Sequence, residues 1–204
     1  MANCCFTEYA IYIAPDAAGG SGDLERLHAS FLRNSEKCFS TLTALMRSEH
    51  VSPEKLAAAA GQDLQESDIA WHFDSGNAIP CLRLSCVSAW APKERVWETF
   101  LRENYPGLSL AWTCAEDGQE LYLRHDPTGI LFPSRCILDC GGVLLRDGAY
   151  FEGFFSFPSE EALLVFARER LQLPVFTGEE LMAALEDLSE TTGEVCEVHW
   201  MREV

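Results

Sequence analysis

The stretch from Cys81 to His125 constrains the fold of this chain more than any other part of the sequence. Residues 81–90 alternate with a period of two, which is typical of a strand with one buried side. That predicted buried side carries Leu82, Leu84 and Cys86. Residues 92–104 then place apolar side chains on one helical stripe, after a proline that suits a first helical turn. The stripe consists of Val96, Trp97, Phe100 and Leu101.

Two further strands are predicted after this helix. The helix ends before Pro106, which disfavours helical geometry at the preceding residue. Residues 108–112 alternate as a strand, and the Asp117-Gly118 pair predicts a hairpin turn to a third strand at 121–123. The order strand, helix, strand, strand is half of a ferredoxin-like, split β-α-β fold.

Two short motifs flank the predicted helix. Ser-Ala-Trp-Ala-Pro at 88–92 precedes it, and Tyr-Pro-Gly-Leu at 105–108 follows it. With the acidic hairpin that comes next, they resemble the ferredoxin-like domain of the YubB-like family of phage and plasmid proteins. That family typically reads threonine-alanine-tryptophan-serine-proline at the strand end and an aromatic-proline pair after the helix.

The resemblance extends to the first residues and to a segment upstream of the domain. Family members tend to begin Met-Ala/Pro-Asn-Trp-Cys, and this chain begins Met-Ala-Asn-Cys-Cys, with Cys4 in place of tryptophan. A family segment, Trp-Gly-Thr-Lys-Trp-Asp, falls near residues 71–76, where Trp71 and Asp74 are the similar residues. The resemblance covers about residues 1–13 and 68–130. It implies a fold and a mobile-element origin, and it implies no activity.

The other segments predict an α+β fold in two parts. Residues 1–67 form an N-terminal strand, at 5–13, and a helical segment, at 23–66. Residues 68–204 form a ferredoxin-like antiparallel sheet with helices on one face. Helix starts are predicted at Asp23, Ser52, Ser159 and Thr177, the last with Glu180 as a capping box, and a helix end at Gly61. A further helical pattern contains Phe39, Leu42, Leu45 and Met46. Residues 130–132 and 136–138 predict one or two more strands, followed by a second hairpin at Arg146-Asp147-Gly148 and a last strand at 195–201.

The formal net charge of −17 over 204 residues limits the partners of this chain. It disfavours direct binding to nucleic acid or to an anionic membrane, because both are polyanions. No apolar run approaches the roughly 20 residues of a membrane helix. A basic protein is the partner that this charge favours.

The nine cysteines favour a cytoplasmic protein with free thiols. They show no C-x-x-C spacing, no histidine follows them at zinc-finger spacing, and no secretory signal precedes them. Cys136 and Cys140 could approach each other as a thiol site on a helical turn, but their segment is strand-like. A catalytic dyad of Cys86 with His72 would need a tertiary contact that spacing does not define. We therefore predict no catalytic residues, no metal site and no cofactor.

The last predicted helix is the candidate site. Its acidic residues cluster on one arc opposite an apolar arc: Glu179, Glu180, Glu186, Asp187 and Glu190. Thirteen acidic residues and three arginines lie between Asp147 and the last residue. The arc is either a solvated face above the core or an anionic docking surface for a basic protein.

Three functional hypotheses follow. The first is a non-enzymatic cytoplasmic interaction protein that acts through its acidic surface, in its sharpest form a nucleic-acid mimic or an inhibitor of a basic partner. The second is a small-molecule-binding protein or enzyme with an aromatic-lined pocket, built from Trp71, Trp90, Trp112 or Tyr122. The third is a structural subunit of a homo-oligomer, and the sequence leaves the oligomeric state open.

Overall fold

A computed structural model describes residues 4–15, 17, 20–33, 41–76, 78–116, 118, 120–144, 148 and 150–204. The chain divides into two compact units, one of Met1–Phe132 with Glu203–Val204 and one of Pro133–Arg202. In order, the first unit contains β1 (Cys4–Ile13), α1 (Gly20–Arg33), α2 (Leu42–Ser48), α3 (Pro53–Ala60), β2 (Glu66–Asp74), β3 (Cys81–Ala89), α4 (Glu94–Asn104), β4 (Leu108–Glu116) and β5 (Leu121–His125). The elements that follow are β6 (Cys136–Leu144), β7 (Tyr150–Phe157), α5 (Glu160–Arg170), α6 (Gly178–Thr192), β8 (Cys196–Trp200) and β9 (Arg202–Glu203).

The first unit is built on a six-stranded sheet in the order β2-β3-β1-β4-β5-β9. The first strand of the chain pairs antiparallel with β3 on one side and with β4 on the other. The segment β3-α4-β4 therefore crosses over β1, as in a split β-α-β unit. Apolar residues of α1, α2, α3 and α4 share one core cluster with one face of this sheet, around Tyr9 and Ile11 of β1.

The predicted order strand, helix, strand, strand is confirmed between Cys81 and His125. Helix α4 begins at Glu94, two residues after the proline that was expected to open it. The backbone N–H of Lys93 donates to the hydroxyl of Tyr9 at 2.9 Å, and this bond inside the core holds the chain before the helix starts. Strands β4 and β5 pair as the predicted hairpin, while Asp117 of its turn lies outside the described residues.

The helical segment between β1 and β2 is confirmed, with one change at its start. Helix α1 begins at Gly20, so Asp23 is not its N-cap but lies within its first turn. One carboxylate oxygen of Asp23 accepts instead from the backbone N–H of Gly107 at 2.9 Å. Helix α3 is capped by Ser52 and ends at Gly61, as predicted. Phe39, predicted on the second helix, lies outside the described residues.

The predicted strand at 130–132 is wrong, because these residues form bends. Side chains bind the backbone here in place of a neighbouring strand. Arg83 donates to the carbonyl of Leu131 at 3.0 Å, and Arg124 donates to the carbonyl of Phe132 at 2.8 Å. Leu131 and Phe132 are buried in a smaller cluster on the sheet face that carries Ala10.

The second unit is a separate three-stranded antiparallel sheet in the order β7-β6-β8. The prediction of one sheet from residue 68 onward is therefore corrected, because β6, β7 and β8 pair with one another and pack their apolar face on α5 and α6. The predicted caps at Ser159 and Thr177 are confirmed. Of the second predicted hairpin, Arg146 and Asp147 lie outside the described residues, and the strands on either side of it pair.

The mixed α and β composition and the two sheets confirm the coarse fold class. The predicted division between residues 67 and 68 falls inside the first compact unit. Within the part of the chain that the structure describes, no helix combines the length and the apolar character needed to cross a bilayer.

Candidate functional site

A groove of about 740 Å³ lies between α6 and β8 in the second unit. Its floor is apolar and includes the buried Leu185 together with the partly exposed Met182 and Val195. Four carboxylates surround this floor: Glu186, Glu190, Glu194 and Glu197. We call this site, with its apolar floor and its four carboxylates, the acidic groove.

Two local signals position α6 along the groove. At its start, Thr177 and Glu180 form a capping box. The side chain of Thr177 accepts from the backbone N–H of Glu180, and the side chain of Glu180 accepts from the backbone N–H of Thr177. At its end, Gly193 takes a left-handed conformation with φ of 74°, which lets the chain reverse into β8. Between them, Leu181 and Leu185 face the core, so the acidic arc of the helix faces solvent.

Ser189 joins the helix to the strand on the other side of the groove. Its hydroxyl accepts from the backbone N–H of Cys196 at 3.0 Å and donates to the carbonyl of the same residue at 3.3 Å. β8 is an edge strand of its sheet, and these two groups would otherwise be open to a new strand. Ser189 therefore closes this end of the edge.

The electrostatics of the groove favour a cation. Glu190 lies in the last turn of α6, at the negative end of the helix dipole, where a carboxylate is unfavourable. The last turn carries no basic residue. Among the described residues, Glu186, Glu190 and Glu194 form no ion pair. A lysine or arginine from a partner would meet both the carboxylates and the dipole.

The five predicted acidic residues are all exposed, but they serve different purposes. Glu186 and Glu190 line the groove, whereas Glu179 and Asp187 lie outside it. Glu180 accepts from the backbone N–H groups of Phe176 and Thr177 at 2.7 and 3.2 Å, so its carboxylate caps the helix. Helical periodicity did not include Glu194 and Glu197, because they join the groove only through the packing of α6 on β8.

A second polar site lies inside the first unit. Both carboxyl oxygens of the buried Glu66 hold donors, the hydroxyl of Tyr9 at 3.0 Å and the indole Nε1 of Trp97 at 2.9 Å. Burial raises the pKa of Glu66 to about 7, although both hydrogen bonds favour the ionised form. The positive charge of Lys93 also favours the ionised form of Glu66, and its ammonium group pairs with Asp63 at 3.0 Å. We call Tyr9, Glu66, Lys93 and Trp97 the Glu66 centre.

A cavity of about 470 Å³ adjoins the Glu66 centre. Four hydroxyl-bearing residues line it together with Glu66: Thr41, Thr43, Ser67 and Ser88. A carboxyl group that titrates near neutral pH exchanges protons readily with a bound molecule. Its local signal in the sequence is slight, since Glu66 belongs to no spacing motif and its partners come from β1 and α4.

The dyad of Cys86 with His72, which the sequence left undefined, is not formed. His72 is opposite Arg83 in the strand pairing, whereas Cys86 lies beside Glu66. Burial and the neighbouring carboxyl group raise the pKa of the Cys86 thiol far above its usual range, so this thiol is a poor nucleophile.

The aromatic side chains of the second hypothesis are dispersed. Trp112 and Tyr122 are buried, Trp71 packs against the core, and Trp90 is about half exposed. None of them lines the acidic groove or the cavity at Glu66. The pocket that they were predicted to form is therefore not at either site.

The eight cysteines within the described residues are free thiols, and Cys4 is the exposed one among them. Cys140 and Cys196 are directly opposite each other on β6 and β8 and point into the core of the second unit. Cys38 lies outside the described residues.

Comparison with known proteins finds no family model, no curated sequence and no solved structure that matches this chain.

Proposed function

We propose that this protein is an interaction protein that binds a basic, amphipathic helix of a partner protein in the acidic groove. One observation carries the proposal: four carboxylates surround an apolar floor between α6 and β8. An exposed patch that is apolar at its centre and charged at its rim is typical of a protein-binding surface. The net charge of −17 adds long-range attraction for a basic partner.

The edge of β8 argues for a helical partner over an extended one. A partner strand would need the outward backbone groups of β8, and at Cys196 these are already bound by Ser189. A helix binds through its side chains alone. Its apolar face would cover Met182 and Val195, which are 43% and 54% exposed, and its lysines or arginines would meet the rim.

The test is a binding titration with a fluorescently labelled Lys/Leu peptide whose leucines recur at i, i+3, i+4 and i+7. We expect it to bind the native protein and to lose affinity as salt is raised. In the variant Glu186→Gln/Glu190→Gln we expect affinity to fall about two- to thirtyfold, because two exposed charge pairs contribute about 0.2–1 kcal/mol each.

The matched control is Glu179→Gln/Asp187→Asn, which removes two charges from the same helix outside the groove. It should leave affinity nearly unchanged. Equal weakening in both double variants would assign the binding to net charge alone and would contradict a role for the groove. The absence of salt-dependent binding by the native protein would contradict the whole proposal.

A sharper form of the proposal is that α6 imitates a nucleic acid. Support comes from its composition, since the helix carries five carboxylates and no lysine or arginine. In this form, the protein displaces DNA from a basic nucleic-acid-binding protein. Displacement that is lost in Glu186→Gln/Glu190→Gln would support the imitation, and binding of the peptide without displacement of DNA would leave docking as the function.

The Glu66 centre supports a second candidate, a small-molecule site in the first unit. The observation that favours it is that Glu66, whose carboxyl group has a pKa of about 7, lines a cavity of about 470 Å³ together with four hydroxyl-bearing residues. Fragment screening by NMR tests it. Ligands whose chemical-shift changes map to Thr41, Ser67 and Ser88 would support it, and a screen without such ligands would count against it.

We also propose that β1 to β4 form a ferredoxin-like core, as the resemblance to the YubB-like family implies. The chain order of strand, helices, two strands, helix and strand supports it, as does the antiparallel sheet order β2-β3-β1-β4. β5 and β9 extend this sheet. A solved structure of a YubB-like protein with a different strand order would contradict the shared fold, and the mobile-element origin stays a prediction.

A further inference from the structure

The face of the second sheet that is turned away from its core carries three metal-ligating side chains. Asp139 of β6 is directly opposite Glu197 of β8, and His199 follows Glu197 by two residues, so all three lie on one face. The opposite face carries the core residues of the same strands, such as Leu138 and Val198. One ligand atom from each of the three side chains lies within 4.8 Å of the other two.

From this arrangement we propose that Asp139, Glu197 and His199 bind a divalent transition-metal ion of the zinc type. One imidazole nitrogen and two carboxylate oxygens are a ligand set that Zn²⁺ accepts, with further positions open to water. Mg²⁺ and Ca²⁺ prefer oxygen ligands alone, so the histidine favours the zinc type.

The geometry suits this ion. His199 Nε2 lies 3.4 Å from Glu197 Oε1. Two tetrahedral ligands that are each about 2.1 Å from one ion are about 3.4 Å apart, so this pair already has the required separation. The carboxylate of Asp139 has an oxygen within 4.8 Å of both ligand atoms, so a small change in its side-chain torsions would complete the site.

The two carboxylates of the proposed site lie directly opposite each other across the strand pair. Like charges directly opposite each other on antiparallel strands are destabilising, and Asp139 and Glu197 are such a pair. A divalent ion between them would neutralise both carboxylates. His199, with a side chain that is 12% exposed, would supply the nitrogen from the less exposed side of the site, and Glu197, at 54%, would lie on the solvent side.

No metal site is predictable from the sequence here, because Asp139 is separated from Glu197 and His199 by more than fifty residues and the three follow no metal-binding spacing. Only the pairing of β6 with β8 brings them together.

The experiment is a calorimetric titration of the full chain, kept reduced, with ZnCl₂. We expect one ion per chain and at least about tenfold weaker binding in each of Asp139→Asn, Glu197→Gln and His199→Ala, since changes even behind the ligands cost 10- to 100-fold. Cys4→Ser controls for the exposed thiol and Glu186→Gln for loss of a carboxylate from the acidic groove; both should bind as the native protein does.

A second measurement keeps the inference falsifiable if one variant folds poorly. Co²⁺ added in place of Zn²⁺ should give visible d–d bands without the intense thiolate charge-transfer band in the near ultraviolet. A thiolate band, the absence of binding, or unchanged affinity in the folded Glu197→Gln variant would each overturn the site. Glu197 belongs to both sites, but Asp139 and His199 lie outside the acidic groove and Glu186 and Glu190 lie outside the metal site, so variants at these four residues let the two proposals fail separately.

Discussion

The hydroxyl oxygen of Tyr9 lies 3.0 Å from Oε1 of Glu66 and donates a hydrogen bond to it. Tyr9 belongs to the central strand β1 and Glu66 opens the edge strand β2, so this bond joins two strands that are not neighbours in the sheet. Trp97 of α4 adds the second donor. The protonation state of one buried carboxyl group is therefore linked to the packing of three elements.

We expect the Glu66 centre to make stability depend on pH. The pKa of Glu66 is raised from 4.5 to about 7 in the folded protein, so its contribution is fully present below about pH 4.5 and is lost as the pH rises through 7. Urea unfolding measures the free energy of unfolding of the native protein and of Glu66→Gln. Between about pH 4.5 and pH 7, the native protein should lose about 3 kcal/mol of stability relative to the variant. The control is the exposed Glu8→Gln on β1, and the same pH profile in native protein and Glu66→Gln would contradict the assignment.

Removing the indole donor should change both stability and this titration. In Trp97→Phe, Glu66 Oε2 loses the donor that favours its ionised form, so the pKa of Glu66 should rise further. We expect a loss of about 1–3 kcal/mol in the free energy of unfolding at neutral pH, with the midpoint of the pH profile moved upward. Trp112→Phe removes the same atoms from another buried site and should leave that midpoint in place.

Ser189 should contribute more to the stability of the second unit than an exposed helical residue that makes no such hydrogen bonds. Ser189→Ala leaves the N–H and carbonyl of Cys196 without their hydroxyl partner, beside a thiol that is buried. We expect the free energy of unfolding to fall by about 1–3 kcal/mol. Thr191→Ala on the exposed side of the same helix is the comparison, and an equal, small effect of both changes would show that the bridge contributes little.

Two glycines of the first unit should respond to alanine with opposite signs. Gly61 ends α3 with φ of 66°, where alanine is strained, so Gly61→Ala should cost about 1 kcal/mol. Gly22 lies in α1, and a Cβ added there meets open space, so Gly22→Ala should stabilise by about 0.5–1 kcal/mol. Thermal unfolding of both variants checks this, and a shift of the same sign in both would refute it.

Features that depend on neighbouring residues could be predicted from the sequence. The capping box at Thr177 and the buried side of β3 at Leu82 and Leu84 follow from local spacing, and both are confirmed. Features that depend on distant residues could not. The bends at 130–132 replace a strand because Arg83 and Arg124 donate to the carbonyls of Leu131 and Phe132. The residues around each arginine contain no signal that predicts these bonds.

The candidate site shows the same division. Periodicity placed Glu186 and Glu190 on one arc of a helix, which is correct, but it also included Glu180, whose carboxylate is used by the backbone of its own first turn. Glu194 enters the groove only because Gly193 reverses the chain. A charge pattern therefore predicts an acidic helix, while the shape of the groove requires the packing of α6 on β8.

The place of β1 at the centre of the first sheet has a consequence for synthesis on the ribosome. Phe6 pairs with Val87 on one side and with Ala115 on the other, so this strand leaves the ribosome long before either neighbour exists. At 5–20 residues per second, that interval is on the order of 5–20 s. During it, a segment rich in tyrosine and isoleucine has neither of its native neighbours, so the central strand cannot pair until most of the first unit has been synthesised.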